Sequence, residues 1–509
     1  MRRSTQFLER EGHTISNPVI KFAPSNFPKD ICEVEVIRDV TKCISCGMCA
    51  AVCPFGVHER KTGYNRVSKP LSYLCIGDAC KDQPFYCVDH CPKKALSVGQ
   101  NQNYISIGDS RWTRDLILGT WKQAEKGLPL HGLKYEIGNS GGGFDRLFFK
   151  FPKEGRTEAI ENDAINTELE LNKREGRKIS IRVPFYGGGM SFGSVSLKVM
   201  LARAKAARAW GTFTCTGEGG YPEALKPYDD NMITQVATGL FGVSEESLQR
   251  VRIVEFKYAQ GAKPGLGGHL LGDKVTAEVA RMREAVAGSS LFSPFPFHSV
   301  YSVEDHKKHV DWIKEINPDA LVSVKVSTPS DVDMVAVGIY YAGAHIIHLD
   351  GSYGGTGAAP DIAKKNIAMP IEYAIPMVHE FLKEEGIRDK ITVIASGGIR
   401  TAYDAAKAIA LGADGIVIGT ADLVALGCVR CGCCESNRGC PRGIATTDPE
   451  LSEIITVEWG AQRIINLYAA WRSTLIDILK QLGMQSITEL VGRHDCLINA
   501  DYIKGKETG

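Results

Sequence analysis

Residues 391–420 read ITVIASGGIRTAYDAAKAIALGADGIVIGT, and the fold is decided there. The run 391–395 is short, apolar and β-branched, the mark of a strand buried on both faces. It ends in the glycine turn Ser396-Gly397-Gly398-Ile399-Arg400, and residues 402–411 follow with alanine, isoleucine and leucine at helical spacing. A second run, 415–418, ends in Gly419-Thr420. Strand, glycine loop, amphipathic helix and strand make one β/α unit.

Upstream the same rhythm recurs. Candidate strands lie at 182–186, 212–216, 251–258, weakly near Ser290, and at 321–326 and 345–349, with helices at 196–210, 303–316 and 330–342. Eight alternating units predict an α/β fold, the (β/α)8 TIM barrel. An open doubly wound sheet is the rival, and it lacks a dinucleotide fingerprint after an early strand.

The whole chain has 509 residues, room for two or more domains. Four segments are expected: 1–110, rich in cysteine; a linking region 111–180, with a helical start at 112–126 and the glycine-rich 138–143; the barrel 181–450; and a helical close at 451–509. With 60 basic and 59 acidic residues, charge gives no reason to expect nucleic acid or an anionic membrane as partner. No stretch approaches the roughly 20 apolar residues of a membrane span, so a cytoplasmic protein is expected.

Nine of the sixteen cysteines precede residue 110. Cys43-Ile-Ser-Cys46-Gly-Met-Cys49-Ala-Ala-Val-Cys53-Pro54 is the C-x2-C-x2-C-x3-C-P run of bacterial ferredoxins, whose fourth cysteine reaches the other cluster. Cys75, Cys80, Cys87 and Cys91-Pro92 repeat the closing C-P with looser spacing. Eight thiolates suit two 4Fe-4S clusters in a small α+β ferredoxin-like domain. Interleaved, Cys43, Cys46, Cys49 and Cys91 hold one cube, and Cys53, Cys75, Cys80 and Cys87 the other. A zinc site is the competing reading. A further set, Cys428, Cys431, Cys434 and Cys440, follows the last strand and would place a third cluster at the active-site end of the barrel. Cys433, Cys32, Cys215 and Cys496 are left as thiols without a ligand role.

Gly397 and Gly398 after the seventh strand and Gly419 and Thr420 after the eighth form the usual phosphate site of barrel enzymes. Flavin mononucleotide, FMN, suits that phosphate and joins one-electron supply from clusters to two-electron hydride delivery. The run Gly187-Gly-Gly-Met-Ser191-Phe192-Gly193 would bring backbone close to the flavin ring. Lys325 is a charge inside an apolar strand, and it needs a partner because an unpaired buried ammonium is costly. Near a flavin it would support the anionic reduced ring; elsewhere it would form a structural ion pair. Glu218 follows the second candidate strand and Lys263 the third, so both point to the same mouth. His298, His345 and His348 read as satisfied barrel histidines.

Residues 255–274, EFKYAQGAKPGLGGHLLGDK, with INPDALVSVKVS, HLDGSYGGTGAAP, TADLVALGC and CPRGIATTDPEL, resemble the flavin-binding synthase domain of glutamate synthases over about 180–450. With the ferredoxin module the chain resembles the short archaeal-type form of that family. The resemblance implies reductive amination of 2-oxoglutarate by ammonia, through 2-iminoglutarate, to L-glutamate. It implies FMN held by Ser191, Gly193, Lys325, Gly354, Gly355, Gly397, Gly398, Gly419 and Thr420, with Glu218 and Lys263 facing the imino acid.

The chain departs from the family pattern at Leu266, where glutamate is usual, at His269 in place of glutamine, and at Phe297-His298-Ser299 in place of His-His-Asp. These positions bear on which oxo acid or amine is used. A related synthase making an N-substituted glutamate is therefore a second hypothesis, and an electron-relay flavoprotein subunit a third. The family's barrel cluster is 3Fe-4S with C-x5-C-x4-C spacing. Here Cys428 and Cys434 keep the first interval, the second is one residue longer, and Cys431 lies between, so 3Fe-4S and 4Fe-4S both stay open. The start MRRST lacks the glutamine-hydrolysing cysteine of the large bacterial enzyme. Ammonia is expected from solution or a separate glutaminase subunit, and electrons from ferredoxin or an NAD(P)H-oxidising subunit, in a hetero-oligomer.

Overall fold

The computed structural model describes residues 17–26, 31–60, 67–130, 143–152, 164–294, 297–357, 362–364, 366–435 and 438–499. Most of the expected glycine-rich stretch 138–143 lies outside them. The chain divides into two compact units, one of Pro24–Leu118 with Val429–Cys431, the other of Met1–Ala23, Gly119–Cys428 and Gly432–Gly509.

In the smaller unit β1 (Val34–Arg38) pairs antiparallel with β2 (Leu96–Gln100), Val34 opposite Gln100 and Arg38 opposite Leu96. Between them come the short helix α1 (Met48–Val52) and 3-10 turns at Ser72–Leu74 and Gly77–Cys80. The core is Val36, Cys49, Val57, Cys87 and Leu96, so cysteines supply part of the buried surface. Gly77 has φ +63°, and a Cβ there would sit 2.7 Å from Val34 Cγ2, so β1 lies directly against the second cysteine segment.

The larger unit holds an eight-stranded parallel sheet. Its strands are β3 (Phe185–Gly187), β4 (Thr214–Cys215), β5 (Met232–Ala237), β6 (Ile253–Lys257), β7 (Leu321–Ser327), β8 (Ile346–Asp350), β9 (Thr392–Ser396) and β10 (Gly415–Ile418). Strand β10 pairs with β3, and a parallel bridge between Gly189 and Cys215 joins β3 to β4, closing the barrel. Helices α2 (Leu197–Trp210), α3 (Val303–Ile316), α4 (Val332–Tyr341), α5 (Ile371–Glu384) and α6 (Ala402–Ala410) return the chain between strands, and α7 (Thr420–Ala425) follows the last of them. Serine and threonine at Ser196, Ser302 and Thr401 cap three of them by accepting a backbone N–H of the first turn. Helix α8 (Val457–Leu482) packs on α2, α6 and α7.

Side chains alternate along each strand, and the interior fills in layers. At the bottom Phe213, Ile233, Ile253, Leu321, Ile346 and Ile394 meet Leu169, Leu171, Ile179 and Ile181 of a small antiparallel plug. Two residues further along the strands the side chains turn polar, with Gln235, Glu255, Ser323 and His348, and two further stand Lys257, Lys325 and Asp350. The barrel is thus apolar at its base and charged at its mouth.

The count of eight strands is correct, but one member differs. Ser290 is in no barrel strand; Leu291 makes only an isolated antiparallel bridge to Leu270. The strand overlooked is β5, MITQVA, buried along its whole length. Its polar Thr234 and Gln235 mask it, although Gln235 faces an interior that accepts polar groups at that level and Thr234, on the opposite face, lies 3.4 Å from the Thr216 hydroxyl. Lys263 consequently follows the fourth strand, not the third. Residues 451–509 are also not continuous helix. Gly483, in the left-handed region at φ +71°, ends α8, and the described chain closes with Leu497–Asn499 paired antiparallel to Leu147–Phe149.

The linking region is fastened to the barrel helices. Asp145 pairs with Arg400, which also takes Asp404 at 3.0 Å, and Lys407 Nζ donates to the Phe144 carbonyl at 2.7 Å.

Candidate active site and iron-sulfur ligands

In the smaller unit the eight cysteines sort themselves into two cavities. Cys43, Cys46, Cys49 and Cys91 line one, and Cys53, Cys75, Cys80 and Cys87 the other. This is the interleaved arrangement expected from the spacing. Gly47, with φ +77°, and Ser45, with φ +56°, turn the backbone around the first three sulfurs. The Ala95 N–H donates to Cys91 Sγ at 3.2 Å and the Gly77 N–H to Cys75 Sγ at 3.4 Å, interactions that set cluster potential. Burial, reinforced by neighbouring thiolates led by Cys53 and Cys75, pushes the Cys87 thiol up to about 12. A thiolate there calls for the positive charge of bound iron, and the donor set fits a 4Fe-4S cube. All sixteen cysteines lie among the described residues, and none is in a disulfide.

In the larger unit the segment carrying Cys434 and Cys440 reaches the barrel mouth. Buried Lys274 donates to the Cys434 carbonyl at 2.6 Å and pairs with Glu435 at 3.1 Å. A Cβ on Gly357, in the loop after β8, would stand 2.6 Å from Cys434 Cβ. The Cys440 N–H is held by the Ala445 carbonyl at 3.0 Å.

The mouth itself is built from buried charge. Lys325 Nζ pairs with Asp350 Oδ2 at 3.1 Å, and burial alone would lower its pKa, but Asp350 and Glu255 outweigh that and raise it. Glu218 pairs with Lys257, the last residue of β6. Lys263 is buried, and desolvation first, then the Lys257 charge, bring its ammonium down to about 8. Gly268 passes so close that a Cβ would be 2.8 Å from the Glu218 carboxylate. Arg283 donates to Ser191 Oγ at 2.8 Å and to the Phe192 carbonyl at 3.1 Å. Its charge also acts on Glu218's side of the mouth, since a Cβ on Gly219 would meet both Arg283 and Ser191.

For a flavin phosphate, the relevant test is whether the glycine loops leave space. Gly397 and Gly398 adopt φ +95° and +107°. Around Gly419 a Cβ would find only Met190 Cε, at 4.0 Å, so the loop after β10 leaves room that fits the FMN phosphate, whereas a Cβ on Gly397 would lie 2.4 Å from the Gly351 carbonyl oxygen, so that glycine lets the β9 loop pack on the backbone after β8. Gly188 and Gly189 serve a different end. A Cβ there would lie 2.9 Å from Val417 Cγ1 and 2.8 Å from the Gln235 amide, so their missing side chains let strands pack rather than admit a ring. Gly193, at φ +98°, turns the loop beside Leu270, while Gly354 stands 3.6 Å in Cβ terms from Asp350 Oδ1, with Gly355 exposed beside it.

The departures from the family pattern separate in space. Leu266 is exposed, and His269 stacks on Phe292 with centroids 4.5 Å apart. Phe297 lies outside the barrel, packed on outward-facing Phe256 at 6.0 Å and on Tyr258 at 4.8 Å. Ser299 Oγ bonds His309 Nε2 at 2.9 Å. Phe297 therefore belongs to a layer between strand and helix and Ser299 to the exposed surface beside it, both away from the inward charges.

Residues overlooked in sequence are Lys257, Asp350, Glu255, Gln235 and Arg283; Ser396, read with the phosphate loop, bonds His348 and Asp350 instead, and His348 carries more than a satisfied core position. The signal was present. In Ile253-Val-Glu-Phe-Lys257, Leu321-Val-Ser-Val-Lys325 and Ile346-Ile-His-Leu-Asp350, every second residue follows one inward column, from apolar to polar to charged.

A family profile described as a conserved region in glutamate synthase matches residues 150–485, and one described as a 4Fe-4S dicluster domain matches 35–92. The archaeal-type glutamate synthase [NADPH] of Thermotoga maritima is 39% identical over 91% of this chain and 94% of its own length. The archaeal glutamate synthase [NADPH] of Methanocaldococcus jannaschii is 38% identical with the same coverage. The glutamate synthase [NADPH] large chain of Azospirillum brasilense is 38% identical over 62% of this chain and 21% of its own. Among solved structures, the flavin-binding domain of baker's yeast flavocytochrome b2 aligns over 72% of this chain and 79% of its own at 17% identity, with TM-score 0.43.

Proposed function

Because the chain belongs to the glutamate synthase family, we propose that it is a glutamate synthase component that reductively aminates 2-oxoglutarate. Ammonia adds to the oxo carbon and water leaves, giving 2-iminoglutarate; two electrons and two protons then give L-glutamate. The observation that carries this reading is the meeting of Glu218, Lys257, Lys263 and Lys325 at the charged end of one closed barrel.

In this reading Lys263 binds a substrate carboxylate, with Arg283 as a second cation on the same side. Glu218, paired with Lys257, takes and returns the proton exchanged as the amine adds and water departs. Burial of all four groups excludes bulk water and strengthens each charge. Ser191, Gly193, Lys325, Gly354, Gly355, Gly397, Gly398, Gly419 and Thr420 would hold FMN, which supplies hydride to the imino carbon when bound. Lys325, charged and fixed by Asp350, would lie at the ring's electron-rich edge. Two 4Fe-4S clusters on Cys43 to Cys91 would take in electrons, and a third, 3Fe-4S or 4Fe-4S, would sit on Cys428, Cys431, Cys434 and Cys440.

The proposed division of labour follows segments 1–110, 111–180, 181–450 and 451–509, in a cytoplasmic hetero-oligomer. Among the described residues no helix is long and apolar enough to cross a membrane. The relatives' names specify NADPH; here it would act through an NAD(P)H-oxidising subunit, with ferredoxin as the other donor and a separate glutaminase subunit as an ammonia source.

The test is turnover of purified holoenzyme with a reduced viologen or ferredoxin, 2-oxoglutarate and ammonia. Glutamate is expected, and none under any donor would overturn the reading. A methylamine arm addresses the second reading, motivated by Leu266 and the His269–Phe292 stack; an N-methylated product in place of glutamate would favour it.

A further inference from the structure

Beneath the mouth, one set of hydrogen bonds crosses five strands. Gln235 of β5 donates to Glu255 Oε1 at 2.7 Å. Glu255 Oε2 accepts from Ser323 Oγ at 2.9 Å and meets His348 Nδ1 at 2.9 Å. His348 Nε2 lies 2.8 Å from Ser396 Oγ, and Ser396 donates to Asp350 Oδ1 at 2.6 Å. Asp350 then holds Lys325 through its other oxygen. Every member is buried, His348 at 1% exposure and Glu255 at 2%.

Proton counting along this chain leaves one solution. Both carboxylates are ringed by donors and held as anions: Glu255 accepts from Gln235 and Ser323, and Asp350 accepts from Ser396 and the Gly261 N–H at 3.2 Å and pairs with Lys325, whose charge lowers it. A carboxylate only accepts, so the proton between Glu255 and His348 is on Nδ1. Ser396 has one proton and Asp350 takes it, so Ser396 can only accept from His348, and Nε2 carries a proton too. The other titratable groups facing this level, Tyr186 and Cys215, stay neutral, because burial pushes the Cys215 thiol up to about 12 and raises the Tyr186 phenol.

We infer that His348 is a buried imidazolium which, between Glu255 and Ser396, acts as a positioning residue for Asp350 and Lys325, completing an alternating line of charge under the flavin-facing lysine. Glu255, His348, Asp350 and Lys325 then sum to zero, which is how four buried charges are tolerated together. The line gives Lys325 an oriented partner instead of a loose one. It also adds a second cation one layer below the position where the reduced flavin would be anionic. The charge and its bonds stand on the chain's own geometry; the effect on flavin rests on the reading proposed above.

The experiment is nitrogen-15 NMR of the full-length holoprotein labelled at histidine. His348 is identified as the signal lost in His348→Gln, or, should that variant not fold, as the signal whose Nε2 shifts in Ser396→Ala. Two protonated ring nitrogens at neutral pH are expected; one unprotonated nitrogen there overturns the inference. Glu255→Gln should return His348 to a neutral ring. In His348→Gln the FMN midpoint potential should move to a more negative value with flavin content retained, and an unchanged potential with flavin retained would refute the positioning role. Glutamate formation by the unmodified protein tests the functional reading separately, so either can fail alone.

Discussion

The two compact units bury their reactive side chains against opposite backgrounds. In the unit of residues 24–118 the cysteines are themselves core: Cys49 and Cys87 stand with Val36, Val57 and Leu96, and Cys53, Cys75 and Cys91 pack around them. In the barrel the reactive charges rest on a finished apolar floor of Phe213, Ile233, Ile253, Leu321, Ile346 and Ile394. The first unit is too small to bury much else, so its ligands are part of its folding energy. The second builds its floor from apolar side chains to which no proposed ligand contributes.

That contrast breaks most visibly if cluster ligands are removed. Cys87→Ser should cost the smaller unit its second cluster and its resistance to proteolysis, and abolish donor-driven turnover, while FMN stays bound to the barrel. Iron content, limited proteolysis and the flavin spectrum check this together. A protease-resistant smaller unit without iron would show that its core suffices.

In the barrel the matching experiment should touch chemistry and leave structure alone. Glu218→Gln is expected to lower kcat by about 10²–10⁴-fold, the usual range for losing a positioned acid or base, and Lys263→Ala to lower kcat/KM for 2-oxoglutarate. Flavin and iron contents should be unchanged. Full turnover in both variants would move the reaction to another subunit and leave this chain as an electron relay.

The floor tests the other side of the contrast. Ile253→Ala removes a fully buried side chain from the bottom layer and should destabilise the barrel by about 2–5 kcal/mol in denaturant unfolding. The iron-sulfur spectrum should not change, because the smaller unit does not draw on that layer.

The same contrast explains what was legible in the sequence. The C-x2-C-x2-C-x3-C-P spacing encodes ligand geometry locally, so the sharing of eight cysteines between two cavities could be foreseen without knowing the fold. The glycine loops after β9 and β10 were legible for the same reason. Strand β5 was not, because MITQVA carries Thr234 and Gln235 where an apolar run was sought, and only the polar middle layer makes Gln235 suitable. Lys257, Asp350 and His348 were equally hidden: a side chain's partner across a barrel lies tens of residues away, and only the strand register brings Glu255 to His348 or Lys325 to Asp350. Phe297 shows the reverse error, a loop position assigned to the pocket that in fact packs outside the barrel against Phe256.

The smallest effect expected is the most specific to the barrel's charged mouth. Burial and Lys257 hold the Lys263 ammonium down to about 8. Below that pH the lysine is charged and can pair with a substrate carboxylate, and above it the free enzyme loses that partner. Since kcat/KM reports the free enzyme, kcat/KM for 2-oxoglutarate should fall about tenfold per pH unit above about 8, while kcat stays level further because a bound carboxylate favours the charged lysine. The sign for stability is opposite. Lys263 has a lower pKa folded than unfolded, so from about 8 up to the ordinary lysine range near 10.4 the unfolded chain binds the extra proton, and this group's contribution to stability rises with pH. Activity and this part of stability therefore diverge above about 8. A common loss of both would point to alkaline unfolding instead, and Lys263→Met should flatten the kcat/KM profile at its lower level if Lys263 is the group titrating.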